Sequence, residues 1–328
     1  MSEAIYISGT GSYLPEKILT NQDIAKTVDT SNEWIVERTG IESRHIASEA
    51  ETTSYMGFMA ARAALADANL TSADVDMVIL ATMAPDMICP STACIVQKLL
   101  GCRPIPAMDV GAACSGFMYI LELARNFLLG SKNYKNILII GSEKLSAMVD
   151  WEDRSTCVLF GDGAGAVIVS KGDHNGILDV FIGADGSGAN LLTIPAGGSA
   201  RPASEGTIKA RNHYIKMDGR EVFRNAIKYM GESINIILKR NDLTVDDVAL
   251  VIPHQANMRI INMVAERANI NRDRLFCNLN RRANTSAASI PIALNEAISS
   301  GKIKAGDLIL LVAFGAGMTW GASIIKWK

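Results

Sequence analysis

"AMDVGAACSGFMYILELARNFLLG" (residues 107–130) sets a short strand-like run, a turn of small residues around Cys114, and a helical pattern that is apolar on nearly every face. A strand feeding a buried helix through a tight turn is the unit of an α/β protein with mainly parallel pairing. Apolar strand-like runs alternate with helical patterns along the rest of the chain, which extends that reading to all of it.

The alternation runs twice. "VDMVILATMAPD" (75–86) is followed by helical "STACIVQKLLG", then by "AMDVGAACSG" and its helix, "NILIIGSEK" (136–144) and "VLFGDGAGAVIVSK". "DVALVIPHQAN" (247–257) is followed by helical "MRIINMVAERAN", then by "FCNLNRRANTSAAS" (276–289), another helix, "DLILLVAFGAG" and "MTWGASIIKWK". Matching strand centres keep similar steps: 31 residues from Val78 to Asp109 against 29 from Leu250 to Leu279, and 30 from Asp109 to Ile139 against 32 from Leu279 to Leu311. The pattern predicts a duplicated chain, with halves 1–174 and 175–328 meeting at "GDHNG" (172–176). Residues 144–156 and the Gly-, Ser- and Ala-rich stretch 184–213 lie outside the repeat, where α/β proteins place binding loops.

Bulk properties narrow the function. The chain has 328 residues, 48% of them apolar, enough for a large core; a formal charge of −2 and 6% aromatic residues carry no nucleic-acid footprint. No apolar run reaches the roughly 18 residues of a membrane helix, and the N-terminus has no signal-peptide pattern, so no membrane insertion and a cytoplasmic protein are expected. Cysteines 89, 94, 102, 114, 157 and 277 form no CxxC pair, as suits a reducing compartment. His45, His174, His213 and His254 show no zinc-binding spacing, so neither a metal site nor a cofactor is expected.

Three residues stand at strand exits. Cys114 opens a helix, where unpaired amides and the helix dipole favour a thiolate and a lowered pKa; a free cysteine is equally at home as an inert core residue. His254 follows an apolar run that stops at a proline, and Asn284 lies in the second-half counterpart of the Cys114 turn, where capping alone would explain its type. A pseudo-twofold relation between the halves brings the three together. "FGDGAG" (160–165) reads as a turn and not as a dinucleotide loop, and "FGAGMTWG" (314–321) offers backbone amides for an oxyanion.

With "SNEWIVERTGIESRHIA" (31–47), "DVGAACSGF", "FGDGAGA", "IPHQANMRI", "NTSAASIPIAL" and "FGAGMTWGA" in this order, the chain resembles the beta-ketoacyl-acyl carrier protein synthase III family over almost its whole length. The resemblance implies a thiolase-like fold, two similar halves in a five-layered αβαβα sandwich, usually a homodimer. It implies that a short acyl-CoA and malonyl-ACP are substrates of a decarboxylative condensation that initiates fatty acid synthesis, with Cys114, His254 and Asn284 as the catalytic set. The amides of Cys114 and Ala316 would hold the oxyanion. Trp34 and Arg154 would sandwich the CoA adenine, with Arg38, Asn257 and Arg259 along the phosphopantetheine path.

Residues 201–282 hold 15 Lys and Arg against 9 Asp and Glu, and Arg220, Arg224 and Lys228 share one helix face, opposite Phe223, Ile227, Met230 and Ile234. Together with Arg259 they are candidates for docking an acidic acyl carrier protein. The chain departs from the family pattern at Ala283 and Ala316, commonly glycine, and at Cys89, where a larger residue often limits the acyl pocket across the dimer. A thiolase would need a second cysteine near the C-terminus, and an elongating condensing enzyme a second histidine where Asn284 stands. The remaining alternatives are a Cys-His-Asn enzyme of secondary metabolism and a non-catalytic carrier-binding homologue.

Overall fold

Val, Ile and Leu fill the strand runs because consecutive side chains leave a strand on opposite faces, and strands covered on both faces need apolar residues at every position. A computed structural model describes residues 4–173 and 176–328; the expected boundary at 174/175, and His174 with it, lies outside the described residues. The first sheet holds β1 (Ala4–Tyr13), β2 (Met77–Ala81), β3 (Ala107–Val110), β4 (Asn136–Glu143) and β5 (Gly163–Gly172) in the order β1-β5-β4-β2-β3. The second holds β6 (Ile177–Ala184), β7 (Leu250–Pro253), β8 (Leu308–Gly315) and β9 (Thr319–Lys326) in the order β7-β8-β9-β6.

Each sheet has one reversed strand, β5 or β9, inserted between strands that all run the other way. All strands but one in each sheet share a direction, yet the four pairings made by β5 or β9 are antiparallel against three parallel ones, so the sheets are mixed. Read from opposite ends, the two orders coincide, with β6, β9, β8 and β7 standing where β1, β5, β4 and β2 stand. The strand expected around Leu279 is absent. Its place beside β7 is held by a single parallel bridge between Val251 and Leu275, and residues Leu279–Arg282 turn helical instead.

Period-two alternation sorts the side chains into layers. Met77, Ile79, Ile137 and Ile139 from the first sheet, with Leu250, Ile252, Ile309 and Leu311 from the second, enclose α4 (Gly116–Gly130) and α7 (Ser289–Ser299). Val78, Leu80, Leu138 and Ile140 face α2 (Thr53–Asp67) and α3 (Thr92–Leu100) on one outside. Val251, Leu310, Val312 and Ile324 face α5 (Gly219–Arg240) and α6 (Met258–Arg267) on the other. The result is helix, sheet, helix, sheet, helix: the duplicated five-layer sandwich. α1 (Asn32–Thr39), carrying Trp34, lies in the connection between β1 and α2.

β1 packs so closely on α2 that a Cβ at Gly11 would stand 2.4 Å from the carbonyl oxygen of Ala60 and 2.4 Å from the amide nitrogen of Ala64. Both are backbone atoms that cannot rotate away. Gly11→Ala is expected to destabilise the protein by about 1–3 kcal/mol in denaturant unfolding, the usual cost of overpacking. Gly130→Ala, at the last residue of α4 with nothing within 4 Å of the new methyl, is expected to be neutral or slightly stabilising.

Candidate active site

After β3 the chain turns into α4 within five residues, so tightly that Ala113 takes a left-handed φ of 48°; one 3-10 turn over Ala113–Ser115 then leads into the helix. The second half repeats this: Ser286 has the same φ of 48°, and a 3-10 turn over Ser286–Ala288 leads into α7. Counting from these two residues, Cys114 corresponds to Ala287, and Asn284 stands two residues before Ser286. The turns are equivalent, as the repeat predicted, while their functional side chains sit at different steps of the turn.

Each turn is clasped by a strand of the other half. A Cβ on Gly315, at the end of β8, would lie 2.7 Å from the Cys114 amide nitrogen, and one on Gly141, in β4, would lie 2.3 Å from the Ala287 carbonyl oxygen. Ser115 Oγ lies 2.6 Å from Thr319 Oγ1, which is itself 3.0 Å from the Ala112 carbonyl and 3.1 Å from that of Ala316. Ala316 stays out of the left-handed region, and Gly317 (φ 73°) and Met318 (φ 48°) make the turn instead. Ala283, by contrast, holds φ 56° and ψ −163°, a conformation suited to glycine, which accounts physically for the family's usual residue there.

His254 leaves β7 directly after Pro253, and its amide donates to the Val312 carbonyl at 2.8 Å. Its Nδ1 is 2.6 Å from Ser289 Oγ, which leaves Nε2 for the cavity that the ring lines. Asn284 is fixed on both sides of its peptide: its N–H donates to the Leu159 carbonyl at 3.0 Å, and its carbonyl accepts from Gly161 at 3.1 Å. The "FGDGAG" turn thus has a job that sequence reading missed, holding Asn284. The Asn284 Oδ1 accepts from the Ser286 amide at 2.8 Å, so the Nδ2 donors are left to point elsewhere.

Cys114, His254 and Asn284 line one cavity of about 110 Å³, walled by Leu159, Phe160, Leu192, Val222, Phe223 and Phe314 among others. Burial governs their chemistry. The Cys114 thiol is pushed up to about 12, because desolvation outweighs the hydrogen bond from Ser286 and buried Glu143 adds like charge. The lowered pKa expected from the helix terminus is therefore not found. Desolvation takes His254 the other way, to about 3, so its imidazole is neutral at physiological pH. Ser286, Ser289, Thr319 and Glu143 were not singled out from the sequence. The only signal was a charged residue closing the apolar run of "NILIIGSE".

The other candidates surround the mouth. The Arg154 guanidinium lies 4.8 Å and that of Arg38 5.6 Å from the Trp34 ring centroid. Arg154 already stacks on the indole, also donating to the Asp29 carbonyl, so an adenine between them requires Arg154 to swing out. Asn257 caps α6 by accepting from the Arg259 amide at 2.8 Å, and its Nδ2 donates to the Arg38 carbonyl. Gly40 (φ 78°) ends α1 there, where a Cβ would meet that of Met258 at 2.6 Å. Arg220, Arg224, Lys228 and Arg259 are exposed, and Arg259 lies over Phe223, a cavity residue. Met230 and Ile234 are buried on the opposite face of α5, with Phe223 and Ile227 partly covered. Cys89 is exposed and does not line the cavity of its own chain.

Comparison with known proteins agrees with this fold. The 3-Oxoacyl-[acyl-carrier-protein (ACP)] synthase III family model matches residues 108–186, and its C-terminal companion matches residues 238–327. A beta-ketoacyl-[acyl-carrier-protein] synthase III of Caldanaerobacter subterraneus subsp. tengcongensis is 52% identical over 323 residues, 98% of this chain and 97% of the relative. The crystal structure of 3-oxoacyl-[acyl-carrier-protein] synthase III from Aquifex aeolicus VF5 superposes with a TM-score of 0.91 at 50% identity, covering 99% of this chain and 100% of that one. The priming beta-ketosynthase of the R1128 polyketide pathway has the same fold at TM-score 0.92 and 32% identity, over 100% of this chain and 98% of that one. The chain therefore belongs to the beta-ketoacyl-[acyl-carrier-protein] synthase III family, the thiolase-fold acyltransferases whose condensing reaction initiates fatty acid synthesis.

Proposed function

We propose that Cys114 is the acyl-accepting nucleophile of this condensation and that His254 and Asn284 stabilise the enolate. The observation that carries the reading is that Cys114, His254 and Asn284, from two halves of the chain, line one cavity whose walls, Asn257 apart, are otherwise apolar. Cys114 sulfur attacks the thioester carbonyl of a short acyl-CoA; its proton leaves and ends on the departing CoA thiol, giving an acyl-enzyme. Malonyl-ACP then loses CO2, and the enolate oxygen takes hydrogen bonds from His254 Nε2 and Asn284 Nδ2. If Ser289 donates to Nδ1, the neutral ring carries its proton on Nε2, the tautomer this role requires. The carbanion attacks the acyl thioester, the amides of Cys114 and Ala316 bind the oxyanion, and collapse releases 3-oxoacyl-ACP and the Cys114 thiolate.

Arg154 and Trp34 take the adenine once their stack opens, and Arg38, Asn257 and Arg259 line the pantetheine path. The exposed stripe of Arg220, Arg224 and Lys228, with Arg259 beside the mouth, suits an acidic carrier protein. In a homodimer, Cys89 faces the partner's acyl pocket, where its small side chain leaves room for longer or branched primers. The chain works in the cytoplasm, consistent with its six free cysteines.

Incubation with acetyl-CoA is expected to place a single acetyl group on the Cys114 peptide by mass spectrometry, and later addition of malonyl-ACP to discharge it as acetoacetyl-ACP; a label elsewhere overturns the assignment. His254→Ala and Asn284→Ala are each expected to slow decarboxylation of malonyl-ACP by about 10²–10³-fold, as for loss of one oxyanion donor, while acetyl transfer to Cys114 persists. Because a raised thiol pKa leaves Cys114 protonated below about 12, acetylation should accelerate with pH between pH 7 and 9. Decarboxylation should be flat over the same window, since His254 is already neutral above about 3.

A further inference from the structure

Asn284 follows a helical turn, Leu279–Arg282, whose exit is Ala283 in its glycine-like conformation. A non-glycine residue persists there only where its surroundings over-determine the backbone. The side chain just before that exit is gripped from two directions. Arg282 Nε donates to Glu296 Oε1 on α7 at 2.8 Å, and its Nη1 lies 2.6 Å from His45 Nε2.

His45 is a buried residue of the short strand Ser43–His45 and does not line the cavity. Both ring nitrogens are engaged, and their partners settle where its proton sits. Nδ1 is 2.6 Å from the Pro15 carbonyl, which can only accept, so Nδ1 carries the hydrogen. A guanidinium can only donate, so Nε2 is the bare nitrogen that accepts from Arg282. The ring is therefore neutral, in keeping with burial and the Arg282 charge, which hold its pKa below the usual histidine value.

The same residue supports Asn284 from the other side. The His45 carbonyl accepts from the Asp162 amide at 2.9 Å, next in sequence to Gly161, whose amide holds the Asn284 carbonyl. Glu296 is anchored in turn, accepting from Asn278 Nδ2 at 3.2 Å with the Arg281 guanidinium 3.8 Å away. Neighbouring charges are engaged elsewhere. Arg44 donates to the Leu19 and Val158 carbonyls and to Asn21 Oδ1, and the Asp162 carboxylate accepts from Ala47 and Ser146. Resting on Asn284 as an enolate donor, we propose that His45 is a positioning residue for the condensation: by accepting from Arg282 it shares with Glu296 the task of pinning the strained Ala283 exit, which aims the Asn284 amide into the cavity.

The test measures malonyl-ACP decarboxylation beside acetyl transfer from acetyl-CoA to Cys114, both in the full-length enzyme. His45→Ala is expected to slow decarboxylation about 10- to 100-fold, the upper end being what a misplacement of about 1 Å costs, and to leave acetyl transfer within about twofold. His45→Gln, whose amide oxygen can accept from Arg282, is expected to restore most of the rate. Arg282→Met keeps the packed stem and leaves Glu296 its contacts with Asn278 and Arg281 while removing the guanidinium. It should reproduce the selective loss, and it carries the test if His45→Ala fails to fold. Because His45 acts through Asn284, adding His45→Ala to Asn284→Ala should cost nothing further. A role confined to stability would lower the melting temperatures with the ratio of the two rates unchanged, and that result overturns the proposal, as does additivity in the double variant. Normal decarboxylation in His45→Ala and Arg282→Met beside a slow Asn284→Ala removes the positioning role alone. Normal decarboxylation in Asn284→Ala removes the enolate assignment, and the positioning role with it.

Discussion

Everything at the site hangs on how closely two backbones approach. Gly315 lies against the Cys114 amide and Gly141 against the Ala287 carbonyl, distances at which a methyl group has no room. This reciprocal clasp lets two sheets with matching strand order bring their turns to a common axis, so that a cysteine from one half meets an asparagine from the other. The left-handed residues Ala113 and Ser286 belong to the same constraint: the chain must enter the central helix through one 3-10 turn, whatever residue occupies the tightest point.

Much of this was legible in the sequence, for identifiable reasons. Alternating apolar runs at steps of about 30 residues exposed the duplication because strand and helix lengths fix that spacing; Cys114 stood out as the opener of an apolar helix, His254 as the polar end of an apolar run, and Asn284 by its place in the second-half counterpart of the Cys114 turn. What escaped notice depended on contacts between distant segments. Leu279 reads as a strand centre, but its neighbours Cys277, Asn278 and Asn280 commit the chain to a loop and a helical turn, leaving only Leu275 to pair with Val251. Ser289 and Ser286 are two of several small polar residues in a run, and only the folded chain shows which touches His254 and which touches Cys114. Residues 174 and 175, where the halves were expected to join, lie outside the described region.

The electrostatic reading changed most. A helix N-terminus predicts a reactive thiolate, yet the site surrounds Cys114 with apolar walls, one hydroxyl and a carboxyl group, so desolvation decides. The same burial keeps His254 neutral. A cavity that disfavours both a thiolate and an imidazolium is suited to a reaction whose charge is transient, first on the oxygen of a tetrahedral intermediate and then on an enolate, because fixed donors there need not compete with a standing ion.

The clasp also orders the birth of the site during synthesis. Ribosomal emergence is vectorial, and domains fold as their segments become available. The Cys114 turn leaves the ribosome some two hundred residues before Gly315, the residue that seals its amide. A chain still in production therefore carries its thiol on an unfinished wall, and the pocket that shields the sulfur closes only when β8 is laid beside the first half.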